Sequence, residues 1–261
     1  MKGVILAGGT GSRLFPLTRI TNKHLLPIFD RPMIEWAIEA VVASGIDEIM
    51  LVTGGTHAGE FLRLLGNGRE YGIHQLSYAY QEKAGGIAEA LGLAEHFAGG
   101  DPVLVMLADN VLEQSIRPMV DAFRADPVGA RILLSRVAEP EHLRHLGVPV
   151  FDDGDGDGDG GGAGDGVGRR VVHIEEKPEH PASDFCVTGI YCYEAGVFDI
   201  IGDLVPSGRG ELEITDVNNH YVAKGQMAHD VQEGFWGDAG ESIEAYYAVN
   251  DFVRQNGANR S

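Results

Sequence analysis

Apolar runs of strand length alternate along the chain with segments in which apolar residues recur at helical spacing. Short apolar runs bounded by turn residues are typical of buried strands, whereas apolar residues at positions i, i+3, i+4 and i+7 are typical of helices that cover a core. The predicted strands are 2–7, 47–53, 74–80, 102–108, 130–137, 148–152, 170–176, 185–193 and 227–236. The predicted helices are 32–44, 57–66, 87–97, 115–125, 195–204, 214–224 and 241–255.

The order of these elements predicts the fold class. Strands and helices alternate one by one in the first half of the chain, which is typical of parallel strands joined by helical crossovers. Strands follow one another more closely in the second half, which indicates antiparallel additions. We therefore expect an α/β fold in which a Rossmann-like, mixed and mainly parallel sheet is flanked by helices, in a single domain over residues 1–261.

One segment, 152–168, consists almost entirely of Asp and Gly. Glycine gives the backbone maximal freedom and the aspartates repel one another, so we expect a disordered loop at the tip of a hairpin. Its Asp spacing resembles a calcium-binding loop, but the closing Glu and the flanking helices of such a loop are missing. A solvated linker is therefore the expectation.

Composition and charge exclude several classes of protein. The net charge of −19 argues against nucleic-acid binding, which needs a basic patch. No apolar run approaches the ~20 residues of a membrane span, and no secretory signal precedes the first strand, so we expect a cytoplasmic protein with no membrane partner. The acidic surface suits a cytoplasm of high salt, although an ordinary acidic bacterial protein remains an alternative. Cys186 and Cys192 are expected to be buried thiols without a disulfide or zinc.

A Gly-rich turn, Leu6–Thr18, follows the first predicted strand. Such a turn binds phosphate because its backbone N–H groups can approach a ligand that no Cβ blocks. A Walker loop is excluded because Arg13 follows Ser12, and a dinucleotide fingerprint is excluded because Leu14 stands where it needs glycine. The remaining interpretation is a loop that wraps a triphosphate and supplies Arg13, with Lys23 returning to the same cleft.

Eight motifs in this order resemble the sugar-1-phosphate nucleotidyltransferase family. They are Gly8–Thr18 with Lys23–Pro27 and Asp30–Met33, Gln81 with Gly85–Ala90, Leu107–Asn110, Gly147–Val148, Ile174–Pro178, Val187–Tyr191, Gly208–Asp216, and Trp236–Asp238. The resemblance covers essentially residues 1–250, and it is strongest to members that act on dTTP and glucose-1-phosphate. It implies the nucleotide-diphospho-sugar transferase fold, in agreement with the α/β pattern.

The resemblance implies an enzyme that transfers the nucleotidyl group of dTTP to glucose-1-phosphate and releases pyrophosphate, with Mg²⁺ as cofactor. Its products serve deoxysugar or surface polysaccharide biosynthesis. The expected organisation is a nucleotide-binding half over about 1–130, a sugar-binding half over about 131–240 and a C-terminal helix over 241–257. We expect a homo-oligomer, either a dimer or a tetramer. The sequence resembles a short form without the C-terminal helices that form an allosteric nucleotide site in longer members.

Both reactants are anions, so an enzyme that joins them needs preorganised cations in its site. The site residues that the resemblance implies include such cations. The implied catalytic residues are Arg13, Lys23, Asp109, Lys177 and Asp238, of which Asp109 and Asp238 are the implied metal ligands. The implied nucleotide-binding residues are Leu6, Gly8, Gly9, Thr10, Gly11, Ser12, Arg13, Gln81, Gly86 and Asp109. The implied sugar-binding residues are Gly147, Glu176, Lys177, Val187 and Thr188.

Some assignments stay open at this point. The Gln81 amide suits both the N3–H and a carbonyl of a pyrimidine, which does not separate thymine from uracil. A UTP-dependent hexose-1-phosphate uridylyltransferase is therefore an alternative, and a non-catalytic NDP-sugar-binding regulatory subunit is an alternative of another class. Glu213 and Asp216 are expected to cap the helix that begins near Ile214, whereas Arg209 or Glu211 is a candidate for sugar contact.

Overall fold

The computed structural model describes residues 1–152 and 168–260. Its strands are β1 Lys2–Ala7, β2 Pro27–Ile28, β3 Arg31–Pro32, β4 Glu48–Gly54, β5 Gln75–Gln81, β6 Val103–Leu107, β7 Asn110–Leu112, β8 Ala130–Arg136, β9 Gly147–Phe151, β10 Val171–Glu176, β11 Phe185–Tyr193, β12 Met227–Val231 and β13 Trp236–Asp238. Its α-helices are α1 Met33–Ala43, α2 Ala58–Leu65, α3 Ile87–Gly92, α4 Glu95–Ala98, α5 Arg117–Ala125, α6 Pro140–Leu143, α7 Val197–Asp203, α8 Ile214–Ala223 and α9 Ile243–Asn256.

The central sheet has the strand order β12-β8-β11-β6-β1-β4-β5 within the described residues. The pairs β1–β4, β1–β6, β4–β5 and β12–β8 are parallel, and β11 is antiparallel to both of its neighbours. The prediction of a mixed, mainly parallel sheet flanked by helices is therefore confirmed. Because β11 runs against β6, its N-terminal half lies at the same sheet edge as the carboxyl end of β6.

Strict alternation along the buried strands directs side chains to two separate cores. On β1, Val4 and Leu6 pack in the core that includes α7 and α8, whereas Ile5 and Ala7 pack in the core that includes α1, α2 and α5. Residues i and i+2 of a strand share a face, so one sheet serves both helical layers. A third cluster packs α9, through Tyr246 and Val249, with Leu14 from the loop after β1 and Val111 of β7.

Two predicted elements are divided in the structure. The helix predicted over 87–97 forms two short helices, α3 and α4, because the chain turns just after Gly92, a weak helix former that lies against Ile201 of α7. The strand predicted over 227–236 forms β12 and β13. Gly234 between them has a left-handed φ of 77°, and Glu113 accepts a hydrogen bond from the backbone N–H of Phe235.

The flanks of the Asp- and Gly-rich segment agree with the predicted hairpin. Strand β9 pairs antiparallel with β10, which places Gly147 opposite Glu176. Residues 153–167, on which the prediction of disorder falls, lie outside the described residues. Across residues 1–152 and 168–260, none of the helices has both the length and the apolar character that crossing a lipid bilayer requires.

A two-stranded ladder outside the main sheet joins the end of β6 to the C-terminal part of the chain. Strand β7 pairs antiparallel with β13, with Asn110 opposite Asp238. The buried Asn110 carboxamide links three segments, since its Oδ1 accepts from the Gly189 N–H of β11 at 3.0 Å and from the Trp236 indole at 2.7 Å. Its Nδ2 donates to Asp109 Oδ1 at 3.2 Å.

We expect Asn110→Ala to lower the free energy of unfolding by about 3 kcal/mol in urea titrations. The substitution leaves the Gly189 N–H and the Trp236 indole N–H without their acceptor, and each buried unsatisfied donor costs about 1–3 kcal/mol. Asn256→Ala, at the exposed end of α9, is the matched control and should change stability by no more than about 0.5 kcal/mol. Equal stability of the two variants would contradict a linking role for Asn110.

Candidate active site

A cavity of about 370 Å³ lies at the carboxyl ends of β1, β5 and β6, the edge at which ligands of α/β sheets bind. Most of the residues that the sequence marked line it, namely Leu6, Gly8, Gly9, Arg13, Lys23, Gln81, Gly86, Asp109, Gly147, Glu176, Lys177, Val187, Thr188 and Asp238. Thr10, Gly11 and Ser12 are not among its lining residues. One cavity thus brings together side chains from both halves of the chain.

The Gly-rich loop has a wall and a supporting turn. Gly8 and Gly9 form the wall, whereas Gly11 closes the turn behind them with a left-handed φ of 64°. The Thr18 hydroxyl donates to the Gly11 carbonyl at 2.8 Å, and a Cβ on Gly11 would lie 2.9 Å from the Thr18 methyl group. In this structure Gly11 therefore shapes the loop and does not line the cavity.

The predicted base-binding residues lie at the end of β5. Gln81 is buried, and its Nε2 donates to the Gly86 carbonyl at 3.2 Å and to Glu89 Oε1 at 3.0 Å. Gly86 has a φ of 101°, and a Cβ there would overlap the backbone of Leu212. The loop before α3 therefore requires glycine at this position, both for its backbone conformation and for its packing against the segment that precedes α8.

Two carboxylates and an ammonium group converge beside Gly240. The Lys23 Nζ lies 2.5 Å from Asp109 Oδ2. A Cβ built on Gly240 would be 2.5 Å from Asp109 Oδ2, 2.7 Å from Lys23 Nζ and 3.2 Å from Asp238 Oδ1. The three charged atoms therefore surround one point, which only a glycine leaves open. The Asp238 carboxylate also accepts from the Gly240 N–H at 2.8 Å.

Burial and mutual interaction set the charges of this cluster. Burial and the neighbouring Asp109 carboxylate raise the pKa of Asp238 to about 7. Burial opposes the charge of Asp109 as well, but the Lys23 ammonium outweighs it and holds the pKa of Asp109 well below its ordinary value. Burial also disfavours the Lys23 ammonium, yet the two carboxylates prevail and raise the pKa of Lys23. The Lys23 ammonium therefore balances the negative charge of only one ionised carboxylate, and a second ionised carboxylate in the cluster is left without a counter-charge.

A neutral histidine, which the sequence interpretation missed, supports the cluster from beneath. Burial, and then the Lys23 charge, lower the pKa of His24 to about 3. The Asn22 carboxamide oxygen accepts from the His24 backbone N–H and lies 2.9 Å from its Nδ1. His24 Nε2 lies 3.9 Å from Asp109 Oδ2. The only indication in the sequence is that His24 directly follows Lys23. This indication is too weak to predict that His24 is buried beside Asp109.

The opposite wall of the cavity carries the predicted sugar-binding residues. Glu176 Oε2 accepts from the Thr215 hydroxyl at 2.6 Å, and Glu176 Oε1 lies 3.5 Å from both Lys177 Nζ and Arg209 Nη2. Lys177 has a left-handed φ of 51°, a conformation that bulky residues rarely adopt and that often marks functional sites. Thr215, to which the sequence assigned no role beyond its place in the motif Gly208–Asp216, also lines the cavity.

Residues of β11 and α8 complete this wall. Val187 and Thr188 line the cavity, but the Thr188 hydroxyl donates to the Leu133 carbonyl at 2.8 Å. The expected side-chain cap of α8 is wrong for Glu213, which makes no capping hydrogen bond, whereas Asp216 lies in the first turn of the helix, where a negative charge is favourable. Glu213 is the N-cap residue by position, but its carboxylate instead accepts from Ser207 and Arg209. These contacts hold the loop that presents Arg209 and Glu211 to the cavity.

Comparison with known proteins identifies relatives that cover the whole site. A model of the nucleotidyl transferase family matches residues 2–256. A glucose-1-phosphate thymidylyltransferase of Actinoplanes sp. is 41% identical over 257 residues, which are 97% of this chain and 78% of that protein. An enzyme of the same name from Neisseria meningitidis is 37% identical over 97% of this chain and 83% of its own length.

A solved structure agrees with this relationship. A Bacillus anthracis protein, crystallised with sucrose and assigned as a glucose-1-phosphate thymidylyltransferase, superposes with a TM-score of 0.86 at 43% sequence identity. The match covers 97% of this chain and 95% of that one. The resemblance to the sugar-1-phosphate nucleotidyltransferase family that the sequence indicated is thereby confirmed over nearly the full length of the chain.

We expect Asp238→Asn to be more stable than the wild type at pH 8 in EDTA, with a gain that shrinks as the pH falls towards 4. The pKa of Asp238 rises to about 7 on folding, so its contribution to stability is present below its unfolded pKa and is lost as the pH rises through 7. Thermal unfolding at pH 5, 6, 7 and 8 measures the difference. Asp126→Asn, at an exposed position, is the control, and a gain that does not depend on pH would contradict this account.

Proposed function

Because the chain belongs to the nucleotidyl transferase family, we propose that it transfers a thymidylyl group from dTTP to glucose-1-phosphate. The products are dTDP-glucose and pyrophosphate. The observation that supports this proposal best is the convergence of three cationic side chains and two carboxylates on one cavity, namely Arg13, Lys23, Lys177, Asp109 and Asp238. Two anionic reactants and a divalent cation need this combination of charges.

The bond changes follow from the substrates. An oxygen of the sugar phosphate forms a bond with the α-phosphorus of dTTP, and the bond from that phosphorus to the bridging oxygen of the β-phosphate breaks. The electron pair leaves with pyrophosphate. The attacking oxygen is already ionised at neutral pH, so the site needs no general base, and catalysis depends on positioning and on neutralising charge.

Asp109 and Asp238 fit Mg²⁺. Magnesium is usually held by one or two carboxylates, with phosphate and water oxygens completing its shell. The converging carboxylates match this pattern, and the raised pKa of Asp238 reflects the positive charge that the pair lacks. Bound there, the ion would neutralise the negative charge of the phosphates.

The cations of the cavity divide between the two substrates. The Arg13 guanidinium has no hydrogen bond or ion pair to a side chain within the described residues, and Arg13 lines the cavity with Gly8 and Gly9, so this group is available to the leaving pyrophosphate. Lys23 contacts Asp109, with Asp238 on the other side of Gly240, and it binds phosphate near the reacting centre. Lys177 lies on the opposite wall and binds the phosphate of the sugar. The loss of one such preorganised donor typically costs about 3–4 kcal/mol of activation free energy.

The hairpin β9–β10 and the start of α8 form the sugar side. Gly147 lies opposite Glu176 in the ladder, and the Thr215 hydroxyl fixes the Glu176 carboxylate so that it can accept from sugar hydroxyls. Accordingly, we assign nucleotide binding to the half of the chain before about residue 130 and sugar binding to the half after it.

The test is pyrophosphate release with Mg²⁺ across dTTP, UTP, CTP, GTP and ATP, each paired with the 1-phosphates of glucose, galactose, mannose and N-acetylglucosamine. We expect the highest kcat/KM with dTTP and glucose-1-phosphate. Asp109→Asn should lower this value by at least about 10²-fold, because a metal ligand is lost while the fold persists. The exposed Asp47→Asn is the control.

A preference for UTP would move the product to a UDP-sugar and overturn the choice of base. An absence of release with every pair, from folded protein, would overturn the enzymatic function itself. Full turnover by Asp109→Asn would remove Asp109 from the metal site.

We expect Thr215→Val to raise the KM for glucose-1-phosphate about tenfold and to leave the KM for dTTP unchanged. The substitution preserves shape but removes the hydrogen bond to Glu176, and a hydrogen bond to a charged group contributes about 1.5 kcal/mol. Initial-rate kinetics with each substrate varied in turn measure the two constants. The exposed Thr56→Val is the control, and an equal rise in both constants would contradict the assignment of Thr215 to the sugar side.

A further inference from the structure

The orientation of the Gln81 carboxamide is fixed by two neighbours that can only accept. The Nε2 group has two hydrogens, and they are directed to the Gly86 carbonyl at 3.2 Å and to Glu89 Oε1 at 3.0 Å. A backbone carbonyl and an ionised carboxylate have no hydrogen to donate. Both hydrogens of the amide are therefore used within the protein.

This orientation leaves the opposite atom of the amide, Oε1, for the cavity. A Cβ on Gly8, a cavity-lining residue, would lie 3.2 Å from Gln81 Oε1, so this oxygen points towards the glycine wall. The atom that a bound base meets is thus an acceptor, and no side chain of the described residues donates a hydrogen bond to it. A base that offers an N–H can pair with it, whereas a base that offers a second acceptor cannot.

We propose that Glu89 is a positioning residue that selects the base through Gln81. This proposal rests on the proposed function. Thymine and uracil carry a hydrogen on N3 and pair with Gln81 Oε1, whereas N3 of cytosine is an acceptor that would meet another acceptor. To bind cytosine, the amide has to turn over and place Oε1 against both the Gly86 carbonyl and the Glu89 carboxylate.

The loop before α3 leaves space for the Glu89 carboxylate. A Cβ on Gly85 would overlap the Glu89 carboxyl group, so only glycine at position 85 permits the observed contact. Gly85 has no left-handed φ, which means that its backbone would tolerate alanine. The absence of a side chain at Gly85 is thus explained by the position of Glu89 and not by backbone conformation.

Glu89→Gln tests the proposal because it retains the size of the side chain and lets it donate as well as accept. The reversed Gln81 amide then meets one repelling acceptor in place of two. We expect the ratio of kcat/KM for dTTP to kcat/KM for dCTP to fall by at least about tenfold, the value of one hydrogen bond to a charged group. The fall should come mainly from a lower KM for dCTP, while kcat with dTTP stays within about twofold of the wild type.

Two further variants separate positioning from a general effect of charge or folding. Glu82→Gln removes the same charge from the exposed residue next to Gln81 and should leave the ratio unchanged. Gly85→Ala displaces the Glu89 carboxylate without altering Glu89 and should lower the ratio as Glu89→Gln does. A ratio that neither Glu89→Gln nor Gly85→Ala lowers would overturn the proposal, as would an equal fall in Glu82→Gln.

The proposed function and this proposal fail in different ways. If the wild-type protein turns over dTTP and the ratio does not respond to Glu89→Gln, only the positioning role is wrong. If the wild-type protein turns over no nucleotide, calorimetric titration of dTTP and dCTP onto the same variants measures the ratio of dissociation constants. A fall in that ratio in Glu89→Gln supports the positioning role, and an unchanged ratio overturns it.

Discussion

Two carboxylates held side by side, as Asp109 and Asp238 are, repel each other unless a cation lies close to them, and the site is arranged around this constraint. Lys23 supplies the cation for Asp109, and the remaining imbalance falls on Asp238. The neutral His24 beneath them and the carboxamide of Asn110 beside them hold the pair without adding charge. A protein with a net charge of −19 thus retains a cavity lined by the positive side chains of Arg13, Lys23 and Lys177.

The parts of the site that follow a strand directly were predictable from the sequence. The turn after β1 and the carboxylate after β6 stand where parallel strands end, and those ends share one edge of a sheet. Thr215 and His24 were not predictable, because their roles depend on partners that lie far away in the chain or on burial that no local pattern encodes. The division of 227–236 into two strands has the same cause, since it depends on Glu113, whose carboxylate would lie 2.5 Å from a Cβ on Gly234.

The Gln81 amide can pair in fewer ways in the folded protein than its chemistry alone allows. The side chain alone can donate and accept, so sequence reasoning allowed it to pair with two atoms of a pyrimidine. In the folded protein its hydrogens are already engaged, and only one kind of pairing remains. Selection of the base therefore depends on the residues that orient Gln81 as well as on Gln81 itself. This is why a motif that contains Gln81 does not by itself identify the base.

The ladder between β7 and β13 also determines when the site can exist during synthesis. Asn110 and Trp236, which it brings into hydrogen-bonding contact, lie 126 positions apart in the chain. The strands that carry the glycine wall and Gln81 are all made before residue 82, so their part of the sheet can form early on the ribosome. Asp238 reaches Asp109 only after residue 238 has been made, so a nascent chain that already has the glycine wall and Gln81 still lacks one of the two carboxylates that converge beside Gly240.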